Sequence, residues 1–422
     1  MSPIRPTVRV VGLSAEPEHH RLRDFFTRTA QPYEFLELSS PAAAELLAGH
    51  GLATNDLPVV VDGNDVYSNA TVPLLAEAWN LSTPPSRKHY VLAIVGAGPA
   101  GLAAAVYAAS DGLSTVVIEA DVPGGQASHT SMIENFFGFP DGIGGAELAR
   151  LAGRQAERFG AELVLLRGVV GSSARAAGTP ALLIDGGYEV TADAVIAANG
   201  MEWRQLEVEG VTDLLGRGVY YGAGRSEAAS CGGDHVVVVG AGNSAGQAVL
   251  HLARARAHVT IIVRGDRLGS KMSAYLVERI EASPLIDVRL QTNVTAVHAD
   301  SDQLGAVTVS NGTGKGEQLP ARALFLCIGG TPRTAWAGGA GVRVNSAGFV
   351  VTGSDLLEGG RRPEVWPLDR DPFVLETTVP GLFAAGDLRS GSTKRVAGAV
   401  GEGAMGAALA HRRLEELALS PS

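Results

Sequence analysis

Along the first eighty residues, short β-branched runs alternate with stretches whose apolar positions recur at helical spacing. Val8 to Leu13 reads as a strand, Glu16 to Thr29 as a helix, and Tyr33 to Leu38 as a second strand. A helix near Ala42 to Ala48 follows. Then come a strand at Leu57 to Val61, a turn at Asp62-Gly-Asn-Asp65, and a closing helix through Pro73 to Trp79. The polar, Pro-containing stretch Ser82 to Lys88 reads as a linker. Beyond it the chain repeats itself: Val91 to Glu119 and Val236 to Arg264 are each strand, glycine turn, helix, strand. The segment from Tyr90 to Ser110 carries no charge and is long enough for a membrane span. Its centre, however, is Gly-Ala-Gly-Pro-Ala-Gly, so strand, turn and helix is the better reading.

Composition narrows the picture. The chain has 422 residues, of which 54 are Gly, and 34 basic against 44 acidic side chains give a formal charge of −10. That balance disfavours phosphate-backbone binding, so no nucleic-acid partner is expected. The sequence shows no secretory pattern, and a cytoplasmic protein with no membrane partner is expected. Its two cysteines, Cys231 and Cys327, exclude a disulfide framework, a cysteine-based zinc site and any Cys-x-x-Cys motif. No metal is expected.

Gly96-Ala-Gly98-Pro99-Ala100-Gly101 follows one strand and opens an Ala-rich helix. Gly96 permits the tight turn, Gly98 lets backbone approach a pyrophosphate, and Gly101 lets helix and strand pack closely. Ala105 and Gly112 are expected to face inward. The next strand ends in Glu119, where a carboxylate can accept both ribose hydroxyls.

Further on, Gly124-Gly125-Gln126 and Ile133-Glu134-Asn135 resemble the flavin-contacting segment of low-molecular-weight thioredoxin reductases. Thr378 to Asp387 resembles that family's second FAD motif. Arg395 and Val396 stand where the family has Arg-Gln, and Ala198-Asn199-Gly200 where it has Ala-Thr-Gly. The resemblance covers roughly residues 90 to 415 and implies bound FAD. Gly96, Gly98, Pro99, Ala100, Gly101, Glu119, Gly125, Gln126, Asn135, Ala198, Gly200, Asp387, Arg395 and Val396 are its expected contacts, and a homodimer is the implied assembly.

The second glycine turn is Gly240-Ala-Gly242-Asn243-Ser244-Ala245. Its following strand ends not in an acid but in Arg264, with Arg267 close behind. A guanidinium there can grip a 2′-phosphate, which favours NADPH over NADH.

Thioredoxin reductases carry a Cys-x-x-Cys between these sites. Here the segment reads Val219-Tyr-Tyr-Gly222-Ala-Gly-Arg225-Ser-Glu227, with Gly222 and Arg225 at the cysteine positions. Cys231 lies in a glycine-containing turn and Cys327 in an apolar run, where it is expected to pack as a core residue. No monooxygenase F-x-G-x-x-x-H-x-x-x-W segment lies between the sites, and no cysteine pair follows the first glycine turn.

The expected architecture is therefore α/β: two Rossmann-like dinucleotide-binding domains, for FAD and NADPH, preceded by a small thioredoxin-fold-like domain. The boundaries expected are 1–82 for the small domain, 83–89 for the linker, 90–206 with 327–422 for FAD, and 207–326 for NADPH. The βαβαββα order of the first domain resembles a glutaredoxin or thioredoxin domain, with Pro58 at that fold's cis-proline. Ser14-Ala-Glu-Pro stands where its redox cysteines would be.

The function expected is an NADPH-dependent flavoprotein oxidoreductase that delivers electrons from FAD straight to an external acceptor. A small molecule, a small-thiol disulfide or a ferredoxin-like redox protein would serve. Gly222 would open the acceptor slot, Arg225 would neutralise an anionic acceptor, and Glu227 would supply a proton. A flavin-bound redox sensor that docks a partner and an oxygen-using oxidase remain open alternatives.

Overall fold

The computed structural model describes residues 7–14, 16–173, 179–222, 231–270, 272–312 and 316–419. Among these, the N-terminal sheet contains β1 (Val8–Gly12), β2 (Tyr33–Glu37), β3 (Val59–Asp62) and β4 (Asp65–Tyr67) in the order β2-β1-β3-β4. β1 runs parallel to β2 and antiparallel to β3. The helices are α1 (Pro17–Arg28), α2 (Pro41–Gly49) and α3 (Val72–Ala78), each with proline in its first turn, where the missing N–H costs nothing. The Leu57–Pro58 peptide is cis. Phe25, Phe26, Leu22, Leu75 and Trp79 fill the core between α1, α3 and the sheet, and Val122 from outside this unit packs into the same cluster.

The second sheet holds β5 (His89–Val95), β6 (Thr115–Ile118), β7 (Glu162–Val164), β8 (Val169–Ser173), β9 (Ala181–Ile184) and β10 (Tyr188–Ala197). Their order is β7-β6-β5-β10-β9-β8, and β21 (Leu382–Ala384) pairs with β10. β6, β5 and β10 run parallel, so their carboxyl ends share one edge. α4 (Pro99–Ser110) returns from β5 to β6, with α5 (Gly145–Arg158) beside it. The uncharged segment thus divides into strand and helix, and no described helix is long and apolar enough to cross a membrane. Gly112 departs from expectation. It is exposed at φ +83°, just past the end of α4, and serves the turn rather than the core.

β11 (Met201–Trp203) and β20 (Gly330–Pro332) pair antiparallel where the chain leaves and re-enters this unit. Between them lies a parallel sheet in the order β12-β19-β13-β14-β15. Its strands are β12 (Val219–Tyr221), β13 (His235–Val239), β14 (His258–Ile262), β15 (Ile286–Arg289) and β19 (Ala323–Leu326). α6 (Asn243–Arg254) and α7 (Ala274–Glu281) cover it. β16 (Asn293–Asp300), β17 (Gln303–Ser310) and β18 (Glu317–Pro320) form a separate antiparallel sheet. The closing helix α8 (Val396–Leu419) lies along α4.

Candidate functional site

Two glycine turns face each other at the carboxyl edge of the second sheet. At Gly96 the backbone has φ +103°, and a side chain would strike Asn199 Cα at 2.5 Å. A methyl on Gly101 would overlap the Gly96 carbonyl, so this pair admits no larger residue. Gly98 caps α4 without a side chain of its own. A methyl built on Gly125, at φ +52°, would stand 3.4 Å from Gly98 Cα. The narrow space between the two turns is therefore kept clear by glycine on both walls, with the N-terminal N–H groups of α4 beside it.

Glu119 closes the far end. Its two oxygens accept hydrogen bonds from Ala97 N–H at 2.6 Å and Asp121 N–H at 3.0 Å. Burial pushes its carboxyl above the ordinary range, and those two N–H groups work in the opposite direction. Burial likewise raises Asp387, against the pull of Lys394. Glu119, whose two oxygens keep free lone pairs beyond those backbone bonds, and the partly buried Asp387 thus place acceptors beside a glycine-lined cradle. Such acceptors suit a ligand that brings hydroxyl donors, and the residues fit FAD in that respect.

A cavity of about 610 Å³ unites these positions. Pro99, Ala100, Gln126 and Asn135 line it, as do Ala198, Gly200, Arg395 and Val396. Gln126 donates from Nε2 to the Met201 carbonyl at 3.1 Å, which fixes its amide.

Asn243 and Ser244, at the start of α6, line the same cavity, so the second glycine turn opens toward the first. A methyl on Gly240 would overlap the Cys327 carbonyl, and Gly242 caps α6. Asn243 is held by Ser273, accepting from its N–H at 2.8 Å and donating to its Oγ at 2.9 Å. Ala245 is fully buried behind the turn. Arg264 and Arg267 do not line the cavity. They stand exposed beyond β14. The residues fit NADPH.

Gly222, at φ +76°, follows β12 into the cavity, and a methyl there would lie 3.5 Å from His129 Cβ and 3.8 Å from the Trp203 ring. Trp203 stacks on Tyr221 with centroids 6.5 Å apart and meets His129 edge-on at 5.9 Å. Arg225 and Glu227 lie outside the described residues.

Sequence reasoning missed His129 and Trp203, as well as the α1 residues His20, Asp24 and Arg28, which also line this cavity. His129 stands four residues after Gly125, so its proximity to the turn was the available signal. The α1 residues offered none.

A family model for the pyridine nucleotide-disulphide oxidoreductases matches residues 90–403. The chain belongs to that family. Thioredoxin reductase of Bacillus subtilis (strain 168) is 33% identical over 333 residues, covering 78% of this chain and 96% of the relative. The crystal structure of T. acidophilum thioredoxin reductase superposes with a TM-score of 0.68 at 26% identity, covering 79% of this chain and all of that one. Bacillithiol disulfide reductase of Bacillus cereus shares the fold, with a TM-score of 0.60 at 17% identity over 77% of this chain and 99% of that one. The protein is thus an NADPH-dependent flavoprotein oxidoreductase of thioredoxin reductase type, with FAD and NADPH as its cofactors.

Proposed function

We propose that this protein moves electrons from NADPH through FAD directly to a small external acceptor, with no protein dithiol between. When bound, FAD supplies the two-electron chemistry, and the chain supplies binding, orientation and exclusion of water. The observation that carries this reading is Gly222. It occupies a cysteine position of the family it resembles, yet it borders the cavity with no side chain, beside the rings of Trp203, Tyr221 and His129. Aromatic walls around a missing side chain favour a flat or disulfide-containing acceptor.

The two cysteines support the same view. Cys231 precedes β13 and Cys327 follows β19, a parallel neighbour, so they flank opposite ends of strands roughly 13 Å long. That separation exceeds what a disulfide spans. Cys327 borders the cavity, but burial pushes its thiol up to about 12, which keeps it neutral and poorly nucleophilic.

We also infer that residues 1–82 form a thioredoxin-fold-like domain without thiol chemistry. The sheet order β2-β1-β3-β4, with a parallel first pair, supports this, and Ser14 stands just beyond β1.

Gly222→Leu tests the acceptor site. In anaerobic stopped-flow, reduction of the flavin by NADPH should stay within a few-fold of wild type. Reoxidation by quinone, disulfide or ferredoxin, whichever the wild type uses fastest, should fall by at least tenfold. Survival of both half-reactions would remove Gly222 from the acceptor path.

A further inference from the structure

The N-terminal unit meets the flavin side of the molecule through one helix. At the end of α1, the Arg28 side chain is only 11% exposed. Its Nη1 donates to Asp121 Oδ2 at 2.7 Å and lies 3.5 Å from Asp24 Oδ2, while Nε donates to Ser128 Oγ at 3.2 Å. Ser128 Oγ in turn donates to the Gly125 carbonyl at 2.7 Å. Arg28 is therefore tied to the very turn that faces Gly98 across the cradle. Beside it, Val122 is 2% exposed and belongs to the apolar core of the N-terminal unit. The loop from Glu119 to Ser128 is thus gripped from outside by a cation and by an apolar core together.

Burial works against the charge on Arg28, yet Asp121 and Asp24 outweigh it and hold its pKa above the ordinary value. The guanidinium stays charged while bordering the cavity, and its Nη2 makes no hydrogen bond to the described residues. Asp121 and Asp24 offset its charge, so what Arg28 offers is a rigidly held guanidinium N–H donor next to two glycine turns, which suits a diphosphate oxygen of a dinucleotide.

We propose that Arg28 is a further FAD-binding residue, and that the N-terminal unit acts as a clasp that retains the cofactor. Its guanidinium faces the diphosphate from outside the two nucleotide-binding units. It also orients the Gly124-Gly125 turn through Ser128. A unit with no redox cysteine thereby has work to do without exchanging electrons. The inference is independent of which acceptor is reduced, because it concerns FAD retention alone.

The test uses full-length apoprotein titrated with FAD and, separately, with riboflavin, which lacks the diphosphate and adenosine. Arg28→Ala should weaken FAD by about ten- to a hundredfold, the range for a hydrogen bond to a charged group, and leave riboflavin within about twofold. Arg28→Lys, which keeps the charge, should recover part of the loss. An equal loss for both ligands would show that Arg28 acts only through the fold, and no loss for either would show that it does not contact the cofactor. Both results overturn the proposal. Should Arg28→Ala fail to fold, Ser128→Ala reads the same path: FAD should weaken while riboflavin holds, and unchanged FAD affinity would overturn the turn-orienting role.

Discussion

Two glycines of α8, two positions apart, should respond to alanine in opposite directions. Gly401 is exposed, and a methyl built there meets nothing within 4 Å. Gly401→Ala removes the entropic cost of glycine in a helix interior and should stabilise by about 0.5–1 kcal/mol. Gly403 is buried against α4. There a methyl would overlap the Ala100 carbonyl oxygen and stand 2.8 Å from its carbon, where ordinary contact needs about 3.5–4.0 Å. The obstacle is backbone, which cannot rotate aside. Overpacking of this kind costs about 1–3 kcal/mol, and the propensity gain offsets less than half of the upper figure. Because the overlap is with backbone, the upper half of that range applies, and the net loss should be about 1–2 kcal/mol, or a few degrees in melting temperature at about 2–4 °C per kcal/mol. Ala100 lies in the first turn of α4, so the displaced backbone also carries the free N–H groups that open toward the cradle. Flavin fluorescence followed during heating reads both effects. Gly403→Ala should release FAD several degrees earlier than wild type, and Gly401→Ala should not. Equal behaviour of the two variants would refute the close α4–α8 packing and the reason given for it.

Arg264→Ala should cost about 1.5–3 kcal/mol of NADPH binding while leaving NADH nearly unchanged, as titration of the oxidised protein would show. Equal losses for both would assign Arg264 to the fold. Cys327, with its thiol near 12, should be about one ten-thousandth thiolate at pH 8, against about one tenth at the ordinary value of 9.0. Native protein should therefore resist maleimide for hours and react within minutes once unfolded, and fast native labelling at Cys327 would contradict its burial. A Cys231→Ser, Cys327→Ala double variant should reduce a dye near the wild-type rate. Lost turnover with FAD retained would put a thiol back on the electron path.

What was legible in the sequence was local. Gly96, Gly98, Gly101 and Glu119 lie within one strand–turn–helix–strand unit, so spacing alone specifies their geometry. The same holds for Gly240 and Gly242. Gly112 was expected to face inward, but α4 ends at Ser110 with its cap at Asp111, so Gly112 falls in the turn beyond the helix. The contribution of α1 was not legible at all. Arg28 and Asp121 are 93 positions apart, and their meeting depends on how one unit seats on another. No periodicity encodes that. His129 falls between these cases: it is near the turn in sequence, but its place against Trp203 comes from the β11–β20 crossing.

Glu134 sits in the segment that resembles a flavin-contacting motif, and it is held by Arg279 at 2.8 Å and Arg254 at 3.2 Å, from α7 and α6. Burial pushes its carboxyl up, but the two guanidinium hydrogen bonds outweigh that and hold it below the ordinary range. Both arginines are about half exposed, so dissolved salt reaches this junction. The carboxylate bridges the unit that carries FAD to the helix that opens the second nucleotide site. Raising the ionic strength should accordingly loosen the grip between the two nucleotide-binding units.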